Sequence, residues 1–171
     1  ENISNSWTNV GIFLGDEEDD FFGWTVSIND SGSIIAAGAP VYFNMKNKKG
    51  YIRVFKEVDG NWQPMGKDIL AERFKDMLGS SVSLSSDGLT LAAGSKSLYG
   101  TGRFIHQVKV FNYNGHFWKQ IGNDIECDHN KSEYTVSLSS EGNILAVGAR
   151  QANSKDMKTF LVGRASVYTL N

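Results

Sequence analysis

The sequence contains one cysteine, Cys127, and two prolines in 171 residues. A single thiol can form neither an internal disulfide nor a cysteine-based metal site, so no disulfide framework or zinc ribbon organises the chain. Charge of one sign is also missing, since 17 Lys and Arg stand against 19 Asp and Glu for a formal net charge of −2. Without a dominant basic surface, a nucleic-acid or acidic-membrane partner is excluded. The longest apolar run, around Ile34 to Val41, is far too short to cross a bilayer as a helix, so no membrane insertion is expected and the chain reads as soluble. No window of about eleven residues carries the apolar spacing of an amphipathic helix. Length and composition leave room for a single domain.

What the sequence does have is 18 glycines, together with frequent Val, Ile, Phe, Tyr and Trp. That combination predicts many short strands joined by tight turns, an all-β chain.

One stretch is written three times. Val82-Ser83-Leu84-Ser85-Ser86-Asp87-Gly88-Leu89-Thr90-Leu91-Ala92-Ala93-Gly94 returns as the segments that begin at Val26 and Val136 and end at Gly38 and Gly148. The valines stand 56 and then 54 positions apart, the spacing of a structural repeat. Each copy reads as a hairpin of strands A and B around a polar turn closed by Gly32, Gly88 or Gly142. A strand with an aromatic end follows, C, ending at Phe55, Phe111 and Tyr168; a tryptophan with glycine four positions on marks a strand D at Trp62 and Trp118. Four antiparallel strands per repeat predict a β-propeller-type array of three blades. The expected divisions are an outer strand over 5–15 that belongs to a preceding or closing blade and begins at Trp7, blade one over 21–66, blade two over 77–122, and blade three over 133–171 without its own strand D. Three blades are fewer than a closed ring needs, so either a longer chain or a homo-oligomer is expected to complete it. The chain opens on Glu1 rather than on an initiator Met, which suits a processed product or an excised segment.

Phe22-Gly23 with Gly38-Ala39-Pro40 spells the pattern that names the FG-GAP repeats, found in the propeller of integrin α-subunits. Leu78-Gly79 with Ala93-Gly94-Ser95, and Glu133-Tyr134 with Val147-Gly148-Ala149, repeat it in weaker form. The chain resembles this family over essentially its whole length. The resemblance implies a recognition or adhesion propeller, extracellular or at the cell surface, whose ligands meet the face that carries the B–C and D–A loops. Many members hold calcium in the A–B turn. Here each turn has one carboxylate, Asp30, Asp87 or Glu141, whereas calcium takes six to eight oxygens, so an ordinary turn is the expectation and no metal or cofactor is assigned.

The candidate ligand-binding residues sit in the B–C loops, which differ in sequence but share a basic and aromatic character. They are Tyr42, Phe43, Lys46, Lys48 and Lys49 in blade one, Lys96, Tyr99 and Arg103 in blade two, and Arg150, Lys155, Lys158 and Phe160 in blade three. Asp16-Glu17-Glu18-Asp19-Asp20 is the densest charge run; it could meet a divalent cation, but like-charged runs are more often solvated. His106, His116 and His129 have neither metal-ligand spacing nor a nearby nucleophile, and read as surface or partly buried residues. Sequons at Asn2, Asn29 and Asn130 arise readily by chance in a chain this rich in Asn and Ser. No catalytic constellation is visible, and the expected function is non-catalytic binding of a protein or glycan. The alternatives are a propeller enzyme with its active site at the axis and an intracellular scaffold. An axial enzyme would place carboxylates or histidines where strand A begins, and those positions hold Trp24, Ser80 and Tyr134.

Overall fold

Where the repeated stretch occurs, the chain folds back on itself. The computed structural model describes residues 6–41, 48–74, 76–98, 104–127, 134–150 and 162–170. Blade one comprises β1 (Thr25–Ile28), β2 (Ile34–Ala39), β3 (Tyr51–Val58), β4 (Asn61–Pro64) and β5 (Ile69–Leu70). Blade two comprises β6 (Ser81–Leu84), β7 (Thr90–Leu98), β8 (Phe104–Tyr113) and β9 (Trp118–Cys127). Blade three comprises β10 (Tyr134–Leu138), β11 (Ile144–Ala149) and β12 (Arg164–Thr169). Each blade is an antiparallel sheet paired in chain order, and the third has three strands among the described residues. The all-β array of propeller-type blades is thus the observed architecture.

Turn chemistry explains the hairpins. Gly32, Gly88 and Gly142 hold φ of 71°, 72° and 70°, a left-handed conformation that side chains with a Cβ resist. Ahead of each glycine a polar side chain closes the turn: Asn29 Oδ1 accepts from the Ile34 amide at 2.8 Å, Ser85 Oγ from Thr90 at 3.0 Å and Ser139 Oγ from Ile144 at 3.1 Å. The turn carboxylates are engaged locally as well. Asp87 accepts from the Ser85 hydroxyl, and Asp30 accepts from the Ser86 hydroxyl of the next blade, each at 2.6 Å.

The core lies between sheets. Ile34, Ile52, Val54, Leu78, Leu84 and Leu91 fill the space between blades one and two, and Val108, Tyr134, Leu145 and Val147 that between two and three. This is why strands β2 and β7 are apolar on both faces, with Ala36, Ala92 and Ala93 wholly buried. Strand A has a further task, because its outer edge faces no strand of its own sheet. The Leu84 amide donates to Ser27 Oγ at 3.0 Å, Val136 to Ser81 Oγ at 3.0 Å and Leu138 to Ser83 Oγ at 2.9 Å. The alternating serines therefore satisfy the edge of the neighbouring blade.

The structure corrects three expectations. Residues 6–15 do not form a strand, because no strand C lies beside them to supply a ladder. Instead they cross the free face of blade one, where Phe13 stacks on Phe55 at 4.2 Å and meets Trp62 edge-on at 5.5 Å. Blades one and two do not end at Gly66 and Gly122. Both glycines have positive φ, and each marks an irregularity through which strand D continues, as β5 beyond the first and as the rest of β9 beyond the second. Lys96 belongs to no loop: it lies within β7, opposite His106.

Gly38 and Gly79 bring blades one and two into backbone contact. A Cβ built on Gly38 would lie 2.2 Å from the Gly79 carbonyl oxygen, whereas one on Gly60, in the β3–β4 turn, would meet nothing within 4 Å. Gly38→Ala should cost about 3 kcal/mol, because backbone on both sides must give way. Gly60→Ala, which strains only its positive φ, should cost about 1 kcal/mol. Urea unfolding of the two variants checks this, and equal losses would show that the blades are not in contact at Gly38.

Candidate site on the loop face

The A strands begin, and the B strands end, on one face of the array, and there the three blades converge. Trp24 precedes β1, Ser80 precedes β6 and Tyr134 opens β10. Together with Ser95, Lys96, His106 and Thr135 they line a cleft of about 120 Å³. The Trp24 side is half exposed and carries Phe21 edge-on against its ring at 6.2 Å. At the floor, His106 is 1% exposed and stands edge-on to Tyr134 at 5.2 Å. It is buried more deeply than the sequence reading expects. Burial, helped by the Lys96 charge, pushes its imidazole down to about 4, so it is neutral at pH 7.

The described basic residues of the blade-one B–C loop, Lys48 and Lys49, are tied to the acidic D–A connections beside them. Lys48 Nζ contacts Glu17 at 3.0 Å and Asp20 at 3.1 Å, and donates to the Glu18 carbonyl. Lys49 Nζ donates to the Glu72 carbonyl at 2.9 Å and lies 5.4 Å from the centre of the Phe74 ring. Asp20 also accepts from Tyr51 Oη, whose burial and the nearby carboxylate charge raise the phenol to about 12. Tyr42, Phe43, Lys46, Tyr99, Arg103, Lys155, Lys158 and Phe160 lie outside the described residues, as does His129. Arg150 follows β11 and is exposed; His116 is exposed in the β8–β9 turn on the other face. Among the described residues no group of three or more His, Cys, Asp or Glu could hold a metal ion.

Two charged clasps repeat at blade period, and sequence reading missed them. Arg53 bonds Asp68 on one side and Asp16 on the other, at 2.7 Å and 2.6 Å. Lys109 likewise joins Asp124 at 2.7 Å and Glu72 at 3.0 Å. In each, the cation sits on strand C, one acid lies along strand D of the same blade two residues past its glycine, and the other comes from the preceding D–A connection. The bonds to Asp68 and then Asp16 raise the Arg53 guanidinium, and the Arg53 bond holds the Asp16 carboxyl low. Burial alone would lower Lys109, but its bonds to Asp124 and Glu72 outweigh that and its pKa rises. The signal available in the sequence was the recurrence of Asp16 and Arg53 as Glu72 and Lys109 at one spacing. The position that pairs with Val147 in blade three, equivalent to these cations, holds Ser166.

On the opposite face the A–B and C–D turns of blades one and two border an open groove of about 1120 Å³ that includes Asp30, Lys56, Asp87 and Asn114. That groove is wide and open, whereas the loop-face cleft is narrow and gathers residues of three blades, so the cleft is the better-formed site.

No family model and no curated protein matches the chain. Among solved structures it is similar to the tricorn protease, with 12% sequence identity, a TM-score of 0.50 and 85% of this chain covered. The chain spans 13% of that protease's length, and at such identity the likeness speaks for the fold, where it fits the propeller-type stacking.

His106 provides a pH test of the cleft floor. Its ordinary value is 6.5 and its folded value about 4, so between these pH values the unfolded chain binds the extra proton and stability falls as pH drops. The loss should approach about 3 kcal/mol near pH 4, with no contribution above pH 6.5. Urea unfolding from pH 7.5 to 4 should show this slope, and His106→Leu should remove that share of it. An unchanged slope in His106→Leu would place the titration elsewhere.

Proposed function

We propose that the chain is a non-catalytic recognition module of FG-GAP-like blades, extracellular or at the cell surface, that binds a protein or glycan at its loop face. The observation that carries this reading is the convergence of Trp24, Ser80 and Tyr134 from three successive blades on one cleft. At about 120 Å³ the cleft is smaller than the roughly 300–1,000 Å³ of small-molecule sites. It suits one projecting side chain or one sugar ring of a larger partner. Trp24 and Tyr134 offer ring faces, the Ser80, Ser95 and Thr135 hydroxyls offer hydrogen bonds, and Lys96 supplies one positive charge. Phe21, edge-on to Trp24, adds exposed aromatic surface next to the cleft, and aromatic residues are enriched where proteins meet partners.

The blade pattern that prompts the family reading has a physical counterpart. The Gly23 amide donates to the Gly38 carbonyl at 3.1 Å, and Gly79 to Gly94 at 3.1 Å, so the two halves of each pattern are bonded to each other. In this reading Lys48 and Lys49 shape the loops through their contacts with the D–A connections, and the ligand is met by the cleft between blades.

Screening the labelled 171-residue chain against glycan and protein arrays should yield a partner whose affinity drops about tenfold or more in Trp24→Ala, as for a central aromatic anchor. Phe117→Ala, on the opposite face, should bind as the parent does. A partner indifferent to Trp24→Ala would overturn the assignment of the site.

A further inference from the structure

The C–D turn of blade two carries the single Asn-Gly pair of the sequence, Asn114–Gly115. The turn spans residues 114–117 between β8 and β9 and is exposed throughout. That exposure belongs to the turn itself: Asp59 and Gly60, in the same turn of blade one, are exposed although blade two is stacked beside that blade.

The Asn114 side chain is bent forward along the turn. Its Oδ1 accepts from the His116 and Phe117 amides, each at 3.0 Å, while its own amide donates to the Phe117 carbonyl at 3.2 Å. These bonds reach past Gly115 and so hold the carboxamide over the Gly115 nitrogen, the backbone nitrogen that can close a five-membered ring on Cγ. Two amides at Oδ1 also stabilise the negative charge which that oxygen takes up when Cγ is attacked, as in an oxyanion hole. Among the described residues no hydrogen bond occupies the Gly115 amide, and a Cβ built on Gly115 would meet nothing within 4 Å. Neither a partner nor a side chain therefore stands between this nitrogen and water.

Asn29 supplies the contrast. Its Oδ1 likewise accepts from two amides, those of Ser33 and Ile34, but the residue is only 6% exposed. The nitrogen that follows it is engaged as well, since the Asp30 amide donates to the Ser86 carbonyl of blade two at 3.3 Å. One asparagine is thus locked as a structural turn residue, and the other is left open to solvent.

We propose that Asn114 is a site of spontaneous deamidation that the folded turn promotes, giving aspartate and isoaspartate. The Gly115 nitrogen loses its proton to a solvent base and bonds to Cγ; the Cγ–Nδ2 bond breaks and ammonia leaves, its extra proton supplied by water. A water molecule then opens the resulting succinimide at either carbonyl, and no oxidant or reductant takes part. Either product sets a new carboxylate on the turn-face groove, which Asp30, Asp87 and Lys56 also border, and isoaspartate lengthens the turn by a backbone carbon. The loop-face cleft, on the opposite side, is untouched.

Incubation of the 171-residue chain at neutral to mildly alkaline pH, followed by peptide mapping with mass spectrometry and chromatographic separation of isoaspartyl peptides, tests this. The expected result is conversion at Asn114 ahead of every other described asparagine, faster as pH rises, and at least as fast in the folded chain as in the chain unfolded by urea. Gly115→Ala, whose methyl group shields the nitrogen and whose strain is confined to an exposed turn, should slow conversion about tenfold or more with unchanged far-UV circular dichroism. Asn29 should stay intact while the chain is folded. Conversion of Asn114 that is slower in the folded chain than in the unfolded one, conversion at Asn29 first, or a rate indifferent to Gly115→Ala would each overturn the proposal.

Discussion

The backbone contact between Gly38 and Gly79 sets the geometry on which the rest of the array depends. At that point no side chain separates two sheets, and a Cβ on either glycine would collide with the other blade. The inner strands can then approach closely, with Thr25 Oγ1 donating to the Gly79 carbonyl at 2.9 Å and the strand A serines reaching the next strand A. Farther out the spacers grow: alanines in β2 and β7 give way to Phe111, Tyr113 and Trp118. Small residues inside and large ones outside make each interface a wedge, and stacked wedges fan the sheets about an axis.

The two interfaces are not equivalent. At the second, a Cβ on Gly94 would stand 3.5 Å from the Tyr134 carbonyl, ordinary contact rather than collision. The cation of the repeated clasp is replaced there by Ser166, so no charge draws the outer strands of blade two onto blade three. The looser junction borders the loop-face cleft, where Tyr134 and Thr135 of blade three meet Ser95, Lys96 and His106 of blade two.

Local chemistry made much of this fold legible. The A–B hairpins, their turn glycines and the apolar B strands follow from residues close in sequence, and each stands where the repeat places it. The leading segment shows where such reading stops: Trp7 to Phe13 has the pattern of strand D, but a ladder needs a neighbour, and the pattern cannot say which strand supplies one. The same limit hid His106, whose burial comes from Tyr134 in the next blade, and left Lys96 in a loop although its pairing with His106 extends the hairpin. For the candidate site, the basic residues Lys48 and Lys49 drew attention by composition, but their partners Glu17, Asp20 and Glu72 come from D–A connections distant in sequence. Trp24, Ser80 and Tyr134 were visible as the residues that open each strand A, and only stacking brings them to one cleft.

If the blades are one stack joined through strand A, the amides of Leu84, Val136 and Leu138 are the direct reporters, since each donates to a serine hydroxyl of the preceding blade. Residue-resolved hydrogen exchange under native conditions measures their opening. The account predicts that all three exchange only with global unfolding, with opening free energies matching those of the central β7–β8 ladder. Exchange of Leu84, Val136 and Leu138 as fast as exposed edge amides, while that ladder stays protected, would contradict it.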